Sequence, residues 1–346
     1  MKPIAIAFSH RLKQHSTSWR PVFTKYLENK KIPYELVDCY SYDIIKKLGD
    51  YSALIWGYSN FLNADLMEAR NILRIAEDQG LKTFPNQKTG WHFDDKIAEM
   101  YALQSIHAEI PMSWVFYFLE DCIQWLESQA EYPIIAKLRN GSGANNVKML
   151  KSKSEAMHYA RRMFSKGFHP APSLLYKTYS KVQSTHDLAT LFSRIKRIPE
   201  FLRTRKNAQM MPIERGYSYF QEHIPNDGFD IKVAVVGDKL SYLCRNVRKN
   251  DFRASGGGSI YYDNNVMTAQ IIDSAFKTSD DLKLQCVGFD YVVDNQTGKG
   301  KIIEMCYGFD HTAILGAGGY FDRGHIWHET PLNVPEEVLA NLLFDE

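Results

Sequence analysis

The chain of 346 residues lacks most of the features that assign a function by themselves. Its five cysteines, Cys39, Cys122, Cys244, Cys286 and Cys306, are scattered, and no Cys-x-x-Cys pair occurs. That excludes a zinc knuckle, a dithiol redox motif and a disulfide framework. No apolar run approaches the roughly 20 residues that a bilayer-spanning helix needs. The apolar stretch in MKPIAIAFSHR is too short for a signal-peptide core, so the expected setting is cytoplasmic. Neither sign of charge dominates: Lys and Arg number 42 against 40 Asp and Glu, a net charge of +2. A basic coat for nucleic acid is therefore excluded. Internal repeats and low-complexity tracts are absent as well.

What is there is ordinary globular material, with 45% hydrophobic and 24% charged residues. The length suits two or three modules. Over the first ninety residues, short apolar runs (PIAIAF, YELVDC, SALIWGY, LKTFPN) alternate with amphipathic stretches around Trp19–Lys30, Tyr42–Leu48 and Ala64–Gln79. In the last of these, Leu66, Ala69, Ile72, Leu73 and Ala76 recur at helical spacing. Such alternation predicts an α/β domain with a parallel, doubly wound sheet over 1–90.

A helix is expected at about Asp94–His107, then a strand SWVFY, a helix near Asp121–Ala130, and a buried strand YPIIAKL. The strand is followed by the polar loop Arg139–Asn146 and a further strand, VKML. Arg161–Lys206 carries 11 basic residues against Asp187 and Glu200, and reads as a mainly helical insertion. YSYFQEHI, DIKVAVVG and KLSYLCRNV read as antiparallel strands, the last two joined at Gly237-Asp238. A helix is expected over Val266–Leu282, then CVGFDYVVD and KIIEMCYG as a hairpin around NQTGKG. The last forty residues read as irregular and aromatic.

Three groups of residues suit chemistry. Lys137 closes a buried strand, and Gly141-Ser142-Gly143 follows, so an ammonium and approachable backbone N–H groups could meet phosphates. The spacing is not that of a Walker A loop, since no Gly-Lys-Ser/Thr closes it. Asp290 and Glu304 lie on successive strands that can present both carboxylates on one face. On an otherwise apolar pair they call for a cation, and Mg²⁺ bridging phosphates is the natural one. Arg245, Arg248 and Arg253 approach the run Gly256-Gly257-Gly258, a pattern suited to a polyanion or a developing phosphoryl charge. Each group also has a plain reading: a flexible hairpin, two salt-bridged rim residues, a solvated basic loop.

Taken in order, these pieces resemble the ATP-grasp superfamily of carboxylate–amine ligases, most closely the branch of the ribosomal-protein glutamate ligase and the lysine-biosynthesis ligases. The resemblance rests on Asn86 with Asp95-Lys96, Ile110-Pro111, PIIAKL with GSGANNV, QEHI, DIKVAVVG, DFRASGGG, GFDYVVD and IIEMC. It implies an ATP-grasp fold, α+β in its catalytic part, over 91–308. A small lid subdomain would span about 110–165, the basic insertion about 165–215, and residues 309–346 would form a tail packed on that domain.

The resemblance further implies that Lys96 and Lys137 touch the ATP phosphates, under a lid from Gly141 to Val147. The backbone at Glu222 and His223 would hold the adenine edge, and Asp230 the ribose. Arg253, with Ser255 beside it, would face the transferred phosphate, and Asp290 and Glu304 would hold Mg²⁺. The expected activity is amide formation between a small-molecule carboxylate and an amine, through an acyl phosphate, with ATP and Mg²⁺. The stretch GYFDRGHIWHE is similar to a tail found in ATP-grasp proteins of surface-polysaccharide gene clusters, which implies a uronate-bearing sugar nucleotide as a partner. The sequence departs from the family at Cys306, where asparagine is usual, at Ala144-Asn145-Asn146 in the lid, at Lys232, where arginine is common, and at Ser255, where asparagine is common. A thiol is a poor ligand for Mg²⁺, so water or Asp310 would have to substitute. An ATP-grasp kinase and a nucleotide-binding protein without catalysis are the alternatives. For the basic insertion, capture of an anionic acceptor, a solvated helical face and weak membrane-surface contact stand side by side. Oligomeric state is not legible.

Overall fold

The computed structural model describes residues 2–8, 18–60, 62–141, 146–170, 212–247 and 259–344. At the front, β1 (Ile4–Phe8), β2 (Tyr34–Asp38), β3 (Ala53–Ile55) and β4 (Lys82–Phe84) form a parallel sheet of order β2-β1-β3-β4. Helices α1 (Arg20–Lys30), α2 (Ile44–Lys47) and α3 (Asn63–Asp78) lie in its connections. Ala69, Ile72, Leu73 and Ala76 of α3 are buried, the stripe expected from their spacing.

A short helix α4 (Gln87–Gly90), capped by the Asn86 side chain, leads to α5 (Lys96–Ser105), capped by Asp95. The second sheet is antiparallel, with β5 (Ser113–Phe116), β6 (Ile134–Lys137), β7 (Val147–Leu150) and β8 (Ser218–Glu222) in the order β5-β8-β6-β7. Helices α6 (Leu119–Ser128) and α7 (Lys153–Met163) share its core, which centres on Trp125, Tyr159 and Phe220.

The third sheet contains β9 (Phe229–Val236), β10 (Lys239–Asn246), β11 (Ile260–Tyr261), β12 (Val287–Val293), β13 (Gly300–Cys306), β14 (Tyr320–Phe321) and β15 (Trp327–His328). Its order is β13-β12-β9-β10-β14-β15, with β11 on β10. Helix α8 (Ala269–Leu282) packs Ile271, Ile272, Ala275 and Phe276 onto one face.

Two elements differ from the sequence expectation. β8 does not join β9 but pairs with β5 and β6, because Ile224-Pro225 and Gly228, with φ +80°, turn the chain out of the second sheet before β9 begins. The last forty residues are less irregular than expected, since they hold α9 (His311–Leu315) and α10 (Val334–Phe344). Val338 and Leu339 of α10 are buried in one core with β1, β3, α1 and Ala234 and Val236 of β9. Gln285 adds a polar tie between the front sheet and β12. Its Nε2 donates to Thr83 O at 2.8 Å, its Oε1 accepts from Asn86 N at 2.7 Å, and its own N–H donates to Thr89 Oγ1 at 2.9 Å. Among the described residues no helix is long and apolar enough to cross a membrane.

Candidate active site

Lys96 occupies the first turn of α5, where the helix dipole disfavours a cation. It is buried nonetheless, and acidic neighbours hold it. Its Nζ lies 3.4 Å from Glu304 Oε1 and donates to the Gly141 carbonyl. Burial alone would lower its pKa, but Glu304, Glu99 and Asp94 together leave it above the ordinary lysine value. Lys137, at the end of β6, is also buried, and its Nζ donates to Ile303 O at 2.9 Å. Burial pushes its pKa down to about 8, with Lys96 acting in the same direction and Glu304 opposing. The carbonyl it reaches is free for a reason. Asp290 pairs with Glu304 and Tyr291 with Ile302, so Ile303 is the extra residue of a β-bulge.

The root of the loop after β6 is fastened to α5. Asp94 Oδ1 accepts from Gly141 N at 3.0 Å, and the Asp94 carbonyl accepts from Asn140 Nδ2 at 3.0 Å. Gly141 has φ +115°, and a Cβ there would meet Asn146 Nδ2 at 2.1 Å. Glycine is required at that position on both counts.

Asp290 and Glu304 lie directly opposite each other on β12 and β13, as the hairpin predicted. Their surroundings differ. Glu304 is partly exposed beside Lys96. Asp290 is buried in an ionic cluster, with Lys232 Nζ at 2.5 Å and Arg245 Nη2 at 3.1 Å from its Oδ1. Burial would raise the Asp290 pKa, but Arg245 and Lys232 hold it below the ordinary range. Arg245 also grips Asp230 with two bonds, Nε to Oδ1 at 2.7 Å and Nη2 to Oδ2 at 2.9 Å. Burial raises Asp230 to about 6 against the pull of Arg245. The β9–β10 register sets Asp230 opposite Arg245, and the β9–β12 register sets Lys232 opposite Asp290.

Of the residues expected from sequence, Lys96, Lys137, Gly141 and Glu304 therefore come together, with Asp290 across the strand pair from Glu304. Asp230 has both carboxylate oxygens engaged by Arg245, which leaves the expected ribose contact to be shared with that clamp. The Glu222 N–H is spent on Met112 O at 2.8 Å, so it has no donor to offer an adenine edge. Asp310 caps α9, its Oδ1 accepting from Thr312 N and Ala313 N. Ser142, Gly143, Arg253, Ser255 and most of the basic insertion lie outside the described residues.

The sequence reading missed Glu99 and Asp94. Glu99 is buried on α5, accepts from Met305 N at 3.3 Å, and is held well above the ordinary carboxylate range by burial. The signal was an acid three positions after Lys96 in an otherwise apolar helix face, KIAEMYAL. Lys96, Glu99, Tyr219, Gln221, Ile303 and Glu304 line a recess of about 10 Å³, room for a single water.

The donor set fits a hard cation at one carboxylate and not at the other. Glu304 offers partly exposed oxygens. Asp290 is already neutralised by two cations, and the Cys306 thiol, raised by burial, faces the Gly308 backbone, with Sγ to Gly308 O at 3.1 Å.

With a parallel front sheet followed by two antiparallel sheets, this chain has the ATP-grasp fold. It is similar to the D-cycloserine synthetase DcsG, at 10% identity with 98% of this chain and 99% of that chain covered and a TM-score of 0.60. It is similar to a RimK domain ATP-grasp protein from Sphaerobacter thermophilus, at 14% identity, 98% and 99% coverage and a TM-score of 0.54. It is similar also to the D-alanine–D-alanine ligase of Bacillus anthracis complexed with ATP, at 12% identity, 90% and 88% coverage and a TM-score of 0.51. No family model matches the chain, and no curated protein sequence does.

Proposed function

We propose that this chain is an ATP-dependent carboxylate–amine ligase that forms ADP. The observation that carries the reading is the convergence of Lys96 and Lys137, from two different elements, beside Glu304 and the root of the Gly141 loop. Lys96 Nζ has Glu304 at 3.4 Å, but Lys137 Nζ is met by a carbonyl at 2.9 Å, so a further anion shared by the two buried ammonium groups would offset the cost of their burial. A triphosphate beside the Lys96 and Lys137 side chains would supply that charge. The ligase neighbours support the same reading, the Bacillus anthracis enzyme having been seen with ATP.

On this reading a substrate carboxylate attacks the γ-phosphorus in line, giving an acyl phosphate and ADP. The amine then attacks the acyl carbon, and phosphate leaves. Lys137 and Lys96 orient the phosphates and spread the charge of the transfer, while Arg253 and Ser255 would face the transferred group. Gly141, Ser142 and Gly143 would form the cover that keeps water from the acyl phosphate. Glu304 would hold Mg²⁺, which when bound draws charge from the phosphate oxygens. The adenine edge would fall to the backbone at His223, since the Glu222 N–H is engaged. A uronate-bearing sugar nucleotide is the proposed carboxylate class, on the composition of Arg161–Lys206 and the tail GYFDRGHIWHE.

The test is product analysis by mass spectrometry from ATP with a pool of amino acids and uronate-bearing sugars. ADP and an amide that both require a carboxylate and an amine support the ligase. ADP with a phosphorylated hydroxyl and no amine requirement would show a kinase instead.

A further inference from the structure

The ionic cluster on β9, β10 and β12 departs from the cation site expected at Asp290 and Glu304. Asp230 and Asp290 supply two negative charges, and Lys232 and Arg245 supply two positive ones, all four side chains at most 14% exposed. The cluster is thus electrically complete without a metal. Lys232 Nζ sits 2.5 Å from Asp290 Oδ1, about where a divalent ion would need that oxygen. The β9–β12 register places Lys232 directly opposite Asp290, so the pairing is built into the sheet and does not depend on a loop. A second observation agrees. Cys306, two residues beyond Glu304 on the same face of β13, offers sulfur where an oxygen ligand would complete a second ion, and that sulfur is turned to the Gly308 backbone at 3.1 to 3.2 Å.

We infer that Lys232 is the resident cation of Asp290, so that the site takes one divalent ion, held at Glu304, with Asp290 outside its coordination shell. The inference rests on the ATP reading above for its nucleotide. It makes Lys232 a positioning residue. Its ammonium fixes Asp290, keeps the Asp290–Arg245–Asp230 chain in register and supplies one positive charge at the floor of the phosphate site.

The experiment is Mn²⁺ titration followed by electron paramagnetic resonance, with and without a non-hydrolysable ATP analogue whose own binding is measured by calorimetry. Wild type is expected to bind one Mn²⁺ per chain with the analogue present. Glu304→Gln should weaken that ion by on the order of tenfold or more, whereas Asp290→Asn should leave it within about twofold. Lys232→Met leaves Asp290 with Arg245 alone and should make the bound Mn²⁺ sensitive to Asp290→Asn, while Lys232→Arg, which keeps the charge, should leave it insensitive. Folding of each variant is checked by circular dichroism, and Asp290→Asn with Glu304→Gln decides the matter if Lys232→Met does not fold. Two ions in wild type, or equal weakening in Asp290→Asn and Glu304→Gln, would overturn the inference. Failure of the analogue to bind at all would instead count against the ATP reading, and the Mn²⁺ arms without nucleotide would still compare the two carboxylates.

Discussion

Lys137 offers the sharpest test of where the phosphates lie. Replacing it by alanine removes one charge-assisted contact, worth ~1.5–3 kcal/mol. At about 1.4 kcal/mol per tenfold, the Kd for ATP should rise roughly 10- to 150-fold. Its titration gives a second handle. The free protein holds Lys137 near 8, because burial outweighs the help of Glu304. At pH 7 the ammonium is mostly charged, and at pH 9 only about a tenth of it is. Bound phosphates keep the proton on, so nucleotide binding takes up a proton above pH 8. The Kd of wild type should therefore climb by about tenfold per pH unit from 8 upward, until the pKa of the complex is passed. In Lys137→Arg the charge persists and that slope should vanish, although the fork fits the site less well than an ammonium. Calorimetry between pH 7 and 9.5 measures all three proteins. A wild-type Kd that stays level, or an equal slope in Lys137→Ala, would remove Lys137 from the phosphates.

Other outcomes follow from the same geometry. Gly141→Ala must place a Cβ on Asn146 Nδ2 at a positive φ, so ~1–3 kcal/mol of local strain should raise the Kd for ATP with a small change in melting temperature. Arg245→Met leaves Asp230 and Asp290 without their clamp and should cost ~3–5 kcal/mol in a urea melt. Asp230, already raised to about 6, binds protons more tightly folded than unfolded, and so loses stability as pH rises through that range; the Arg245→Met deficit should be larger at pH 8 than at pH 5. Replacing Arg194, Lys196, Arg197, Arg203 and Arg205 by glutamine should raise the acceptor KM and flatten its salt dependence, with the KM for ATP unchanged, if the basic insertion gathers an anionic acceptor.

The sequence carried what local periodicity can carry. The stripe on α3 and the hairpin that faces Asp290 to Glu304 were both readable, because each is set within a short span of chain. The clamp on Asp290 was not. Lys232 reaches it through a strand register that joins residues 58 positions apart, and Arg245 reaches it from β10 across β9, 45 positions away in sequence, and no pattern in one strand announces the partner in another. Glu99 was hidden for the opposite reason, since its helix looked apolar and its burial shows only when β13 is laid against it. The helix Val334–Phe344 did leave signs, with Pro335 at its start and Glu336 and Glu337 in its first turn. The aromatic stretch before it drew the reading away.

Gln285 has a consequence for which residues its position will accept. Its side chain gives from one end of the amide and receives at the other, while its own backbone donates to a third group. Glutamate would keep the acceptor and lose the donor, lysine the reverse, and asparagine would fall one carbon short. A library of all substitutions at 285, selected for folding, should therefore return glutamine almost alone. The front sheet is then a fixed jaw, held to the third sheet by this amide and by the core that α10 shares with β1, β3 and β9, and whatever opens to admit a nucleotide does so away from that seam.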